Sequence, residues 1–182
     1  MTRRVSGDLT EQAAEVLRRR ADSLAQREEA DAVEDRMDIL LFALADEWYA
    51  VRIVDVREIY NEYRLAGVPC VPEHILGVIN IRGEIVSVTD LAALMRLAAP
   101  RDLYPGVELP PLIVVQDDSC ASAIVVDVIG DIVDVAVSSV EPPLSTYEKT
   151  QGEYVSGQVY VDGMLVGLVN LAKVLEPVGA RD

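Results

Sequence analysis

The chain has 182 residues, 51% hydrophobic and 26% charged, with 31 acidic against 16 basic residues and a net charge of −15. A chain of this size buries roughly 70% of its unfolded surface, and its apolar fraction excludes wholesale disorder. The negative balance excludes a phosphate-tracking nucleic-acid binder, and no apolar run nears the roughly 20 residues that span a membrane. Met1-Thr2-Arg3-Arg4 leads into a polar stretch with no signal-peptide core, so the expectation is a soluble, cytoplasmic protein without membrane insertion.

The first 36 residues read as an extension. Asp8, with Glu11 three residues on, has the pattern of a helix cap. Leu17, Ala21, Leu24 and Ala25 then recur at helical spacing, which predicts a weakly amphipathic α-helix over about 9–34. It packs along the body by that stripe or docks on a partner. After Arg36 the pattern changes to short runs rich in Val and Ile, which suit half-buried strands. Hairpin signals join several of them. Asp162-Gly163 is the best, Arg82-Gly83-Glu84 is next, and Asp46-Glu47 and Gly130-Asp131 are weaker. Short helices are predicted at Ile53–Tyr60 and Asp90–Leu97, with a third at Leu171–Leu175. The Pro-bearing stretch 98–111 reads as a connector between two β halves, roughly 37–97 and 110–178, with exchange of strands between them allowed. Each half ends alike: a hairpin, then Val88-Thr89-Asp90-Leu91 or Leu168-Val169-Asn170-Leu171, then a short helix. That echo points to two small barrels on related plans.

Catalytic and metal-binding chemistry is scarce. His74 is the sole histidine, and with Cys70 and Cys120 it does not make the ligand spacing of a structural zinc site. Two cysteines are too few for a disulfide framework. Cys70, in an apolar strip, reads as a small buried hydrophobe. No Gly-x-Ser-x-Gly elbow and no phosphate-binding glycine motif occurs. Asp127, Asp131 and Asp134 lack the order of a calcium loop and read as carboxylates on solvated strand faces. A carboxylate-dependent hydrolase built on them is the enzymatic alternative, and it has no visible machinery.

The run from Val68-Pro69-Cys70-Val71-Pro72 through Gly77-Val78-Ile79-Asn80-Ile81-Arg82-Gly83-Glu84-Ile85-Val86 resembles the central signature of the CheW family, the chemotaxis coupling proteins. Other segments fall in the family's order. Leu41–Leu44 and Tyr49–Val51 match its first hairpin, and Val54–Ile59 matches the following Val-x-Glu-Ile segment. Thr89-Asp90-Leu91, Val125–Val128 and Gly167–Leu171 follow. Ile81 replaces the usual Leu, and Ser87 stands where Pro is common. The similarity spans about residues 37–178, leaving 1–36 outside the minimal domain.

The resemblance implies a mainly β fold of two five-stranded Src-homology-3-like barrels around a shared core, with short helices besides the N-terminal one. It implies no catalytic activity and no cofactor or metal. It implies a signal-transduction adaptor that bridges the cytoplasmic tip of a chemoreceptor, a methyl-accepting chemotaxis protein, to the regulatory domain of a CheA-type histidine kinase. Val56 and Glu58 match receptor-contacting positions, the alternative being a core Val and a solvated Glu. Asn80 and Arg82 flank the signature hairpin, where Asn80 can also fix the turn and Gly83 permits a positive φ. Arg82 can grip a carboxylate in this protein or in a partner. Kinase-contact candidates lie around Ile124–Ile129. Two variants of the adaptor stay open: a non-flagellar pathway, such as surface motility or second-messenger control, and a module with a single partner.

Overall fold

The computed structural model describes residues 35–99, 101, 109–117, 120–143 and 149–176. The helix expected over about 9–34 lies outside the described residues. In the body, ten strands form two five-stranded sheets. The first has the order β8-β1-β2-β10-β9, from β1 (Arg36–Leu44), β2 (Glu47–Arg52), β8 (Val128–Ala136), β9 (Val155–Val161) and β10 (Met164–Val169). The second has the order β3-β6-β7-β5-β4, from β3 (Val56–Tyr60), β4 (Ile75–Ile81), β5 (Glu84–Asp90), β6 (Leu112–Gln116) and β7 (Ala121–Val125). Residues 37–97 therefore supply β1 and β2 to the first sheet and β3–β5 to the second. Short helices α1 (Leu91–Leu94), α2 (Lys149–Glu153) and α3 (Leu171–Val174) accompany them.

The two sheets share one connectivity. A parallel pairing joins β2 to β10 in the first and β7 to β5 in the second. Each sheet's edges are tied together by the chain that follows one of them. Beyond β8, Glu141 and Gln158 of β9 exchange backbone bonds of 2.8 and 2.9 Å; beyond β3, Ala66 and Val78 of β4 exchange two of 2.9 Å. The expected echo is present in detail. Asp90 accepts a bond from Ala93 N at the start of α1, and Asn170 accepts one from Lys173 N at the start of α3, each satisfying a helix donor that otherwise lacks a partner.

Strand alternation explains the three cores. In β1, Ile39 and Leu41 point into the first sheet's core, while Leu40, Phe42 and Leu44 point into a central core. In β6, β7 and the residue after β7, Leu112, Val114, Ala123 and Val125 fill the second sheet's core, and Ile113, Val115, Ile124 and Val126 face the central one. A strand buried on both faces reads as an unbroken apolar run because successive side chains leave on opposite sides. The central core also takes Leu91, Leu94, Val174 and Leu175, which seats the short helices.

Four local expectations are corrected. Ile53–Tyr60 is not a helix: a single 3-10 turn at Ile53–Asp55 leads straight into β3. Val56 through Tyr60 instead pair with Val115 through Leu112, so tertiary pairing overrides a weak helical period. Gly130-Asp131 is not a turn, since β8 runs through it; the two residues face Leu41 alone and form a bulge between the Phe42–Ile129 and Leu40–Ile132 pairs. Cys70 is exposed, because its segment runs between β3 and β4 outside the strands. Asp127 lies in the bend between β7 and β8, not on a strand face.

Candidate partner-binding surface

The β4–β5 hairpin closes through Arg82 and Gly83, with φ of 51° and 94°. A two-residue turn with both φ positive matches strand twist, and glycine takes the second position without strain. Asn80 Oδ1 accepts from Gly83 N at 2.8 Å and fixes the turn from within. The hairpin tip meets β3, where a bulge leaves Arg57 without an opposite residue. The bulge breaks the alternation, so the adjacent Arg57 and Glu58 both reach the tip. Arg57 Nη1 lies 2.6 Å from Glu84 Oε2, and Arg82 Nη2 lies 3.3 Å from Glu58 Oε2. The two ion pairs run in opposite senses across one gap.

Glu58 Oε2 also accepts the Tyr60 hydroxyl. That bond, burial and the carboxylate's charge all hold the Tyr60 phenol above its ordinary range. Glu84, hydrogen-bonded to Arg57, likewise raises the guanidinium's pKa. Apolar side chains also stand in the open on these elements: Ile85 is 63% exposed, opposite Asn80 in the hairpin, and Ile59 in β3 and Val54 in the preceding 3-10 turn are exposed as well.

Four of the five residues singled out from sequence, Glu58, Asn80, Arg82 and Gly83, come together here. Val56 is half-buried and packs against the central core. Sequence reasoning left open whose carboxylate Arg82 would meet; in the structure it meets Glu58. Reasoning from sequence missed Arg57, Glu84 and Tyr60. Glu84, a charged residue directly after the Arg-Gly turn, was the one local signal.

A groove of about 320 Å³ lies at the end of β2, lined by the apolar Met37, Ala50, Leu168 and Ala172 and by Asn170. Arg52 and Asp55, also lining it, form a two-bond pair of 2.7 and 2.9 Å. On the first sheet, the β9–β10 hairpin exposes Tyr160 and Met164 beside its Asp162-Gly163 turn. Within the stretch 124–129, Ile124, Val125 and Val126 are fully buried and Val128 is the exposed apolar residue.

The acidic residues diverge. Asp127 pairs with Arg101, Asp134 pairs with Arg36 at 2.6 Å, and Asp131 is exposed on the β8 bulge. Among the described residues no group of three or more His, Cys, Asp or Glu side chains could hold a metal ion. No helix among them is long and apolar enough to cross a membrane.

Two exchanged five-stranded sheets around a common core, with a charged hairpin tip, define a CheW-like fold. The chain matches the CheW-like domain family over residues 38–178, and it belongs to that family. It is 27% identical over 137 residues to the chemotaxis protein CheW of Rhizobium meliloti, covering 75% of this chain and 86% of that one. It is 27% identical over 127 residues to the chemotaxis protein CheW of Treponema pallidum, covering 69% of this chain and 74% of the relative. The crystal structure of the scaffolding protein TtCheW from Thermoanaerobacter tengcongensis is similar, with a TM-score of 0.67 and 26% identity, covering 80% of this chain and 96% of that one.

Proposed function

We propose that this protein is a non-enzymatic cytoplasmic adaptor that couples the cytoplasmic tip of a chemoreceptor to the regulatory domain of a CheA-type histidine kinase. The family match across the whole two-sheet body carries this reading. The surface chemistry supports it. A helical hairpin needs apolar walls with a few polar anchors, and the groove beside Arg52, Asp55 and Asn170 has that composition. Exposed apolar side chains at both hairpin tips, Ile85 in one and Tyr160 with Met164 in the other, fit reversible contact with a protein partner. Val56, Glu58, Asn80, Arg82 and Gly83 are the receptor or partner contacts in this reading.

Gel filtration of the protein with its own cell's kinase regulatory domain, with and without a receptor-tip fragment, tests the proposal. A ternary peak is expected. A peak with one partner only would reduce the role to a single-partner module, and no shift with either would overturn the coupling function.

A further inference from the structure

We propose that Arg101 is a strut that locks the two sheets into one mechanical body. This inference stands on the fold and does not depend on the proposed function. The chain passes between the sheets at the 3-10 turn 53–55 and again at the bend 126–127, between β7 and β8. Arg101, from the stretch read in the sequence as a plain connector, sits at that second passage.

Its guanidinium forks. Nη1 lies 3.1 Å from Asp90 Oδ1, and Nη2 pairs with Asp127 Oδ1. Its backbone N donates to Asp90 Oδ2 at 3.0 Å. The Asp90 side chain is 1% exposed, at the end of β5 in the second sheet. Oδ1 also takes the Ala93 amide at 3.2 Å, and the Asp90 amide donates to His74 O just before β4. Asp127 faces the other way, into the first sheet. Its Oδ2 accepts the Ala45 amide at 2.6 Å in the β1–β2 turn, and its own amide donates to Ala43 O of β1.

The bonds thus run without a gap from the second sheet through one guanidinium to the first. A buried carboxylate is tolerated only when paired and hydrogen-bonded. A second carboxylate drawn to the same place would repel it unless a cation stood between them. Arginine suits this position because its planar fork presents separate donors to two acceptors at once; lysine offers a single point charge.

The test is residue-resolved amide exchange on the full chain carrying Arg101→Met. Ala45 reports on the first sheet and Ala93 on the second. Exchange at both should accelerate by about tenfold or more, although one amide lies in the β1–β2 turn of the first sheet and the other in α1, which follows β5 of the second. Acceleration at Ala93 alone would make Arg101 a local partner of Asp90 and overturn the strut, as would no change at either site. If Arg101→Met fails to fold, the Asp90→Asn, Arg101→Met double variant removes the stranded charge and keeps an acceptor for Ala93. Faster exchange at Ala45 is again required, and unchanged Ala45 protection refutes the proposal.

Discussion

Glu58 and Arg82 are 24 residues apart in the chain and 3.3 Å apart in space, where the tip of the β4–β5 hairpin reaches β3. Arg82 keeps 78% of its side chain in solvent. A pair this exposed contributes little to stability, because water and salt screen it and two long side chains lose freedom. Its consequence is positional: the guanidinium is held over the tip by a carboxylate of the same molecule.

Arg82→Ala is therefore expected to cost no more than about 1 kcal/mol of folding stability, while weakening co-elution with kinase or receptor fragments. Thermal melts and gel filtration check the two halves. An unchanged ternary peak would remove Arg82 from the partner surface.

The Tyr60 hydroxyl bonded to Glu58 gives a pH signature. The raised phenol pKa means the folded state favours the protonated form, so this contribution is complete below the unfolded value of about 10. It is lost as pH rises through the higher folded value. Glu58→Gln should move the Tyr60 titration downward. An ultraviolet difference titration against Tyr60→Phe isolates it, and an unmoved midpoint would show that the bond does not govern the phenol.

Ile124 and Val128 fall in one apolar stretch, yet the first is fully buried and the second half in solvent. Ile124→Ala should cost about 2–5 kcal/mol through lost packing and a residual cavity. Val128→Ala should stay within about 0.5 kcal/mol. Urea unfolding measures both, and similar losses at the two sites would contradict the assignment of Ile124 to the central core.

Gly77 has φ of 148°, and a Cβ there would stand 2.3 Å from Ala66 O. That oxygen accepts the Val78 amide in the bond pair that ties β4 to the chain beyond β3. Gly77→Ala should destabilise by more than about 1 kcal/mol, since strain and a backbone clash act together. It should also speed exchange of the Val78 amide. Wild-type protection at Val78 would mean that the chain relaxes without breaking the closure.

Much of this architecture was legible from the residues. Asp162-Gly163 and Arg82-Gly83 marked two hairpins because few residue pairs accept two positive φ values in succession. Asp90 and Asn170 marked two equivalent helix starts because short polar side chains cap there. The segment after Ile53 was misread because Val56, Ile59 and Tyr60 fit a helical period over too short a window, and what decides them is pairing with β6, far along the chain. Gly130-Asp131 signalled a departure from regular pairing, but a bulge and a turn leave the same local mark. The ion pairs at the candidate surface were hidden for a related reason. Arg57 and Glu84, like Glu58 and Arg82, become neighbours only when β3 is brought to the β4–β5 tip.

The exchange of strands between sheets carries a consequence for biosynthesis. β3 to β7 are contiguous in the chain, whereas the first sheet is assembled from both ends, with Tyr49 pairing with Gly167. Chains are made from the N-terminus, and distant pairings form late because their loop-closure cost comes before any return. β1 and β2 therefore leave the ribosome first and wait longest for their neighbours, with Leu40, Phe42 and Tyr49 uncovered. The second sheet can close in the meantime, and its Ile113, Val115, Ile124 and Val126 then offer those side chains an apolar surface before β8 to β10 exist. The order of synthesis thus completes one half of the central core's wall before the other half exists.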